Sequence, residues 1–372
     1  MDNKKLQRLL DRNVLFRLSR KKDYPLVPPD TLQINFTFRC NLRCTMCNMH
    51  EREESFKAQN RPVDLDISTI KKLIKEGAEM KIPSLLLIGG EPFLDPRLFE
   101  MVSFAVDCGF SSIIVVTNGT IMSEKIVEKM SEATGSNLTL SIDGASEETF
   151  SRIRGQAYLN KIIANVKLIN KVKERIGSHS PLICCSCTIM DQNIEELMDV
   201  IELCRSLKIA HVAFQPVVGD NTDQEKAEIN SGVRIPPARL KLLEDSIDAI
   251  IQFKKMNEHN FDFIINTIEN LETIKKYFQG RTKINRKPCY SGYNRIQVVQ
   301  EGKLYFCVDQ NSHEATFGDV KNDSLKDLWY SEKARELRKL IRQCRKPCMQ
   351  RCSWRDDFDL VTSHWQKTRL FK

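Results

Sequence analysis

From residue 31 onward the apolar positions fall into short runs separated by stretches with helical spacing. The runs "LQINFTF" (32–38), "SLLLIGG" (84–90), "SSIIVVTN" (111–118), "NLTLSIDG" (137–144), "PLICCSCTI" (181–189) and "AHVAFQPVV" (210–218) read as six strands. Helical patterns over 66–80, 96–108, 122–133, 146–176 and 193–207 follow the first five, with Asp66 or Ser68 placed to cap the first helix. Short strands bounded by Gly, Pro and Asn and alternating with helices of about 10–15 residues indicate βα units and a parallel sheet. Six such units curl more naturally into a partial (β/α)6 barrel than into a flat sheet, so the expected fold class is α/β. Chemistry in such barrels collects at the carboxyl ends of the strands. There the unusual residues stand: three cysteines after the first strand, "GGEP" after the second, "TNGT" after the third and "SIDG" at the fourth.

The rhythm then changes. The polar stretch 219–235 reads as a boundary loop, and 236–256 as an amphipathic helix opened by prolines, which a first helical turn tolerates. Beyond 285, "NRIQVVQEGKLYFCVD" predicts a hairpin turning at Glu301-Gly302, and "SLKDLWYSEKARELRKLIRQ" a helix. The expected divisions are an N-terminal basic extension (1–30), a barrel core (31–235), a helical linker (236–284), a small C-terminal α+β extension (285–360) and a tail (361–372).

Composition narrows the picture. Of 372 residues 41% are hydrophobic and 28% charged, and no apolar run approaches the roughly 20 residues of a membrane span. The N-terminus lacks both an apolar signal region and a small-residue cleavage site, which places the protein in the cytoplasm. The net charge of +8 is spread along the chain rather than gathered in one tract, so nucleic acid is not the favoured partner. Thirteen cysteines in a chain of this length, in clustered spacing, argue for metal or redox chemistry rather than a disulfide scaffold.

"CNLRCTMC" sets Cys40, Cys44 and Cys47 in the spacing C-x3-C-x2-C. Soft thiolates select zinc, copper(I) or iron–sulfur clusters. His50 would complete a zinc site of three thiolates and one imidazole; a cubane cluster with one open iron accounts for three thiols without a fourth. The stretch resembles the cluster loop of the radical SAM superfamily. That resemblance implies a [4Fe–4S] cluster on these three cysteines, with S-adenosylmethionine chelating the open iron. Met46 stands where the family often has an aromatic residue. "GGEP" (Gly89, Gly90, Glu91) resembles the segment that binds the substrate amino group: two glycines admit backbone close to a ligand, and Glu91 would balance an ammonium. Asn118 in "TNGT", Ser141 and Asp143 in "LSIDG", and Arg154 as a carboxylate partner complete the implied S-adenosylmethionine contacts. The implied reaction is one-electron cleavage to methionine and a 5′-deoxyadenosyl radical that takes hydrogen from a substrate. The electron would come from a reductant such as flavodoxin or ferredoxin.

The C-terminal cysteines form a second group. "CYSGYNRIQVVQEGKLYFC" has the form C-x12-G-x4-C, and "CRKPCMQRC" follows the helix. The pattern resembles the SPASM/twitch extension of radical SAM enzymes, which implies one auxiliary [4Fe–4S] cluster. Its expected ligands are Cys289, Cys307, Cys348 and Cys352, with Cys344 as the alternate; four thiolates at this spacing would also serve zinc. Cys108 and Cys204 lie on helical patterns as small core residues. Cys185 and Cys187 share one face of the fifth strand. If that face lines the barrel, they are candidate hydrogen-atom donors, as epimerisation would need.

The favoured reading is a radical SAM oxidoreductase or epimerase acting on a sugar, aminoglycoside or nucleotide-linked sugar. Only 39 residues precede Cys40, too few for a peptide-recognition domain. A maturase acting on a peptide or protein is the alternative, and a zinc-stabilised, non-enzymatic binding protein the second.

Overall fold

The computed structural model describes residues 3–217, 233–257, 263–279, 288–307 and 315–344. Each of the six expected strands is present: β1 Thr31–Asn35, β2 Ser84–Ile88, β3 Ser112–Thr117, β4 Ser136–Ser141, β5 Leu182–Ile189 and β6 His211–Pro216. An N-terminal helix, α1 (Asn3–Lys22), precedes them. The intervening helices are α2 (Met49–Ala58), α3 (Ile67–Glu79), α4 (Leu98–Asp107), α5 (Glu124–Glu132), α6 (Glu147–Arg154), α7 (Leu159–Ile176) and α8 (Leu197–Ser206). Asp66 caps α3 by accepting the Thr69 amide, and Ser123 and Ser146 cap α5 and α6 in the same way.

Three strands beyond the barrel core join the same sheet: β7 (Arg295–Val298), β8 (Lys303–Tyr305) and β9 (Gly318–Asp319). The order is β6-β5-β4-β3-β2-β1-β7-β8-β9. Strands β1 to β6 pair in parallel, and β7 lies parallel to β1, with Thr31 opposite Arg295 and Ile34 opposite Val298. Only β8 and β9 run antiparallel to their neighbours. The architecture is an α/β partial barrel whose C-terminal α+β extension is built onto the free edge of β1. The expected hairpin at Glu301-Gly302 is the β7–β8 turn, where Gly302 takes a φ of 86°.

Register separates the two faces. Ile34, Leu87, Val115, Leu138 and Ile183 form a buried row on one face. Helices cover this face: a Cβ at Gly77 of α3 would lie 2.8 Å from the Leu32 side chain. The opposite face carries Val116, Thr139, Cys184 and His211 in one row and Ser141, Ser186 and Ala213 in the next. Most of these inner residues are only half buried. A parallel sheet covered on both faces reads as continuous hydrophobic runs; the alternation here therefore marks one face covered by helices and an inner face that is only half buried.

Two expected helices are broken. The pattern 146–176 splits at Gly155, which has a φ of 76° and packs so closely on Arg43 that a Cβ would lie 2.8 Å from its carbonyl oxygen. The C-terminal pattern divides at Ser331 into Leu325–Tyr330 and Glu332–Gln343, because the Ser331 hydroxyl accepts the Ala334 amide and starts a new helix. In the first strand the regular ladder stops at Asn35, since Phe38 donates its amide to the Val63 carbonyl and Leu65 donates to that of Phe36.

The extension shares the main core. Ile296, Val298, Leu304, Phe306, Phe317 and Trp329 belong to the same buried cluster as the barrel residues. Lys72 of α3 donates to the carbonyls of Val320 (2.6 Å) and Asp323 (2.8 Å), and the Leu325 amide donates to Glu76 (2.7 Å). The N-terminal helix braces the other side: Arg20 donates to the Cys289 carbonyl at 3.0 Å, and Asp23 pairs with Arg342 at 2.9 Å.

Leu304 is fully buried in β8. Leu304→Ala should cost about 2–5 kcal/mol. Because the sheet and core are shared, unfolding followed by far-ultraviolet dichroism and by tryptophan fluorescence should shift together; two separated transitions would show that the extension melts alone.

Candidate cofactor site

The loop carrying Cys40, Cys44 and Cys47 leaves β1 and lies across the ends of three neighbouring segments. The Cys47 amide donates to the Cys44 carbonyl at 3.1 Å, closing a turn, and the Leu42 amide points at Cys40 Sγ at 3.4 Å. Cys44 is buried, and the other two thiols are partly exposed. Burial pushes the Cys40 thiol up to about 11, with the nearby Cys44, Glu91 and Cys47 charges adding to it; burial raises Cys47 as well. Among the described residues no three such donors stand at metal-binding distance. The donor chemistry nevertheless fits a cationic cluster core: three soft thiols stand on one short loop, and Cys40 and Cys47, disfavoured there as isolated thiolates, gain by binding metal. His50 sits in α2 with its Nε2 3.7 Å from Glu51.

"GGEP" has a specific structural task. The Gly90 amide donates to the Thr37 carbonyl (2.8 Å), and the Glu91 amide to that of Arg39 (2.7 Å). A Cβ on Gly89 would lie 2.5 Å from the Thr37 oxygen, and one on Gly90 would overlap the Arg39 carbonyl. The close backbone approach expected toward a ligand is thus made, in this structure, toward the strand that leads into Cys40. Glu91 is fully buried. Its carboxylate accepts from Thr117 Oγ1 (2.7 Å), the Asn118 amide (2.7 Å) and the Phe93 amide (3.1 Å), tying the end of β2 to the end of β3. Burial raises its pKa against those three donors.

Asn118 reaches back to the cluster loop, donating to Asn41 Oδ1 at 2.8 Å, while Asn41 donates to Thr120 at 2.9 Å. Ser141 ends β4 on the inner face opposite Ser186. Asp143 is fully buried and ion-paired with Arg154, and it accepts the Thr188 amide at 2.7 Å. Arg154 also points Nη1 at Cys44 Sγ, 3.7 Å away. Burial disfavours the guanidinium, but the Asp143 carboxylate and Cys44 sulfur outweigh it and hold Arg154 charged. The loop is further fixed by the Thr45 amide, which donates to the Ile153 carbonyl at 2.9 Å. The expected residues Cys40, Cys44, Cys47, Gly89, Gly90, Glu91, Asn118, Asp143 and Arg154 are thus linked by contact. Pattern reading missed Asn41, Thr117 and Asn193, which donates to the Asp143 carbonyl at 2.8 Å; single amides and hydroxyls carry no sequence signal.

Cys185 and Cys187 require a correction. Both are buried on the helix-covered face, in the same core cluster as Cys204 of α8. The Cys185 contact and burial raise the Cys204 thiol, and burial raises Cys187. Period-two alternation shows which residues share a face but not which face turns inward. The thiol on the inner face is Cys184, half buried beside Thr139 and His211.

At the extension, Ser291 donates its amide toward Cys289 Sγ at 3.5 Å, and its hydroxyl donates to the Phe306 carbonyl. This bond ties the Cys289 segment to the residue before Cys307. Cys344 is exposed at the end of helix Glu332–Gln343. Cys348 and Cys352 lie outside the described residues.

Residues 34–230 match the family model described as the radical SAM superfamily, and 289–353 match the one described as an iron-sulfur cluster-binding domain. Similar curated proteins include an AdoMet-dependent heme synthase of Methanosarcina barkeri, 25% identical over 84% of each chain. A GTP 3′,8-cyclase of Aquifex aeolicus is 25% identical over 86% of this chain and 95% of its own. Among solved structures, Streptococcus suis SuiB bound to precursor peptide SuiA has a TM-score of 0.67 at 17% identity, covering 90% of this chain and 71% of that one. This last likeness is one of fold alone.

Gly90→Ala should push the Arg39 carbonyl aside, costing about 1–3 kcal/mol and lowering iron loading at the three-cysteine loop; wild-type iron content and melting would refute the packing argument. In cluster-free protein, a Cys40 thiol that titrates at about 11 rather than 9.0 is alkylated at pH 8 ~100-fold more slowly than a peptide thiol. The rate should climb as pH rises toward 11, and an ordinary rate at pH 8 would contradict the burial.

Proposed function

The chain belongs to the radical SAM superfamily, and from that membership we propose that it oxidises a small, hydroxyl-rich molecule by removing hydrogen from carbon. Its cofactors are a SAM-binding [4Fe–4S] cluster, S-adenosylmethionine and an auxiliary iron–sulfur cluster, which when bound supply a hydrogen-abstracting 5′-deoxyadenosyl radical and a one-electron relay. In this reading Cys40, Cys44 and Cys47 hold the first cluster. Gly89, Gly90, Glu91, Asn118, Ser141, Asp143 and Arg154 form the S-adenosylmethionine site; Cys289, Cys307, Cys348 and Cys352, with Cys344 the alternate, hold the second cluster. Arg154 offsets the charge of the Cys44 thiolate, and Glu91 fixes the Asn118 backbone from beneath.

The observation that carries the substrate class is the inner face of the sheet. Asn137, Thr139, Ser141, Ser186, Thr188 and Gln215 lie on it, half buried and uncharged, among the apolar Leu86, Ile114 and Val116, while Arg295 of β7 brings a cation to the same face. Such a surface offers paired donors and acceptors to hydroxyl groups, as in a sugar or aminoglycoside. Oxidation is favoured because the auxiliary cluster would accept an electron from the substrate radical; Cys185 and Cys187 face the helices, and Cys184 is the inner-face thiol that an epimerisation would use. An external one-electron donor such as a flavodoxin or ferredoxin would reduce the first cluster. Among the described residues no helix is long and apolar enough to cross a membrane, in keeping with the cytoplasmic location proposed here.

The test is anaerobic reconstitution of the wild type and of the Cys40→Ala/Cys44→Ala/Cys47→Ala variant. About eight irons per chain should fall to about four, and 5′-deoxyadenosine formation should vanish. With deuterated sugars, aminoglycosides and nucleotide-linked sugars as candidates, deuterium should pass from the substrate carbon into 5′-deoxyadenosine and leave an oxidised product. Solvent hydrogen returned to that carbon would make the reaction an epimerisation, and turnover of peptides alone would replace the substrate class.

A further inference from the structure

Three side chains close a ring between the three-cysteine loop and the end of β3. Asn118 Nδ2 donates to Asn41 Oδ1 at 2.8 Å, Asn41 Nδ2 donates to Thr120 Oγ1 at 2.9 Å, and the Thr120 hydroxyl donates to Asn118 Oδ1 at 2.7 Å. The sense of the ring is fixed from outside it. The Thr120 backbone amide, which can only donate, meets Asn118 Oδ1 at 3.0 Å. The Asn118 oxygen therefore faces Thr120 and its nitrogen faces Asn41, so that each member of the ring gives one hydrogen and takes one. Bonds joined head to tail in this way polarise one another.

The two sides of the ring differ in burial. Asn118 and Thr120 are buried, Thr120 to 1% exposure, and buried polar atoms require partners. Asn41 is exposed and stands between Cys40 and Cys44. An exposed amide can turn to water at little cost; this one lies instead on two buried groups 77 and 79 positions away in the chain. Farther along the loop the Thr45 amide is tied to the Ile153 carbonyl, and the Arg43 carbonyl packs against Gly155. The second half of the loop thus rests on backbone contacts, whereas the first half is tied by the Asn41 side chain. The same bonds limit what Asn118 can offer a cofactor. Its Oδ1 accepts both the amide and the hydroxyl of Thr120, and its backbone amide is given to Glu91 at 2.7 Å, which leaves one Nδ2 hydrogen.

We propose that Asn41 and Thr120 are positioning residues for the first cluster: with Asn118 they lock the Cys40–Cys44 half of the loop onto the end of β3. The Asn118 side chain then serves the S-adenosylmethionine site chiefly by holding this loop. This inference rests on the reading above in which Cys40, Cys44 and Cys47 hold that cluster.

The experiment compares the full-length wild type with Thr120→Val, Asn41→Ala and Thr120→Ser. Valine keeps the shape of threonine without its hydroxyl, serine keeps the hydroxyl, and Asn41→Ala changes an exposed position that folding tolerates. In cluster-free protein, iodoacetamide labelling is followed by peptide mass spectrometry at Cys44 and at Cys204, which is completely buried in α8 and reports global opening. Thr120→Val and Asn41→Ala should label Cys44 about fivefold faster, as loss of roughly one net hydrogen bond allows. Cys204 should be unchanged, and Thr120→Ser should match the wild type. After anaerobic reconstitution and reduction, S-adenosylmethionine is titrated while the electron paramagnetic resonance signal is followed. The half-point should rise about fivefold in Thr120→Val and Asn41→Ala and stay in place in Thr120→Ser. Unchanged Cys44 labelling in Thr120→Val and Asn41→Ala overturns the proposal. So does an equal rise at Cys204, which makes the effect global, or a Thr120→Ser that behaves like Thr120→Val, which makes the methyl group the cause. Faster Cys44 labelling with an unaltered titration also overturns it, since the loop tie would then not serve the cofactor site. If the wild type itself gives no S-adenosylmethionine-dependent signal, the cluster reading fails, and the labelling ratio alone decides the lock.

Discussion

The site depends on a backbone contact in which side chains take no part. Where β1 ends, Thr37 and Arg39 present their carbonyls to the amides of Gly90 and Glu91, at 2.8 and 2.7 Å. Only residues without a Cβ let the two chains approach so closely. That contact fixes where the chain turns into Cys40. It also buries Glu91, whose carboxylate then collects donors from the end of β3. The loop and two strand ends are consequently one rigid unit, and the position of the thiols follows from the register of β1 on β2.

Two buried guanidiniums show different answers to the same electrostatic problem. Arg154 meets Asp143 directly, and truncating either partner would strand the other, at about 3–5 kcal/mol. Such a pair adds little net stability compared with an apolar contact of equal volume. It does fix the orientation of a positive group beside Cys44. Among the described residues Arg338 meets carbonyl oxygens and ring faces rather than a carboxylate. Of the two, only Arg154 has a cysteine sulfur within reach among the described residues, Cys44 Sγ at 3.7 Å.

Much of this was legible because period-two runs and helical spacing are local signals. All six strands coincide with the expected runs, β1 and β4 each beginning one residue earlier at Thr31 and Ser136, and the motifs stand at their carboxyl ends. The signals failed where tertiary contact overrides periodicity. Gly155 and Ser331 break patterns that look continuous, one by packing on Arg43 and one by capping. Cys185 and Cys187 were paired correctly on one face, yet the inward face is decided by which side the helices cover. The glycines of "GGEP" were legible as a close approach, but the partner segment was not. The joining of β7 to β1 pairs residues more than 260 positions apart, beyond the reach of any local pattern.

That long-range pairing bears on how the two cysteine groups relate. Gln300 donates to the Thr37 carbonyl at 3.1 Å, so the turn of the extension's hairpin touches the same carbonyl that receives Gly90. Arg295 meanwhile donates to Gln33 on β1 at 2.7 Å. The extension is thus registered on the strand that feeds the three-cysteine loop. The sheet edge that an ordinary partial barrel would leave exposed is here the element that seats the Cys289 and Cys307 segments on the strand leading to Cys40.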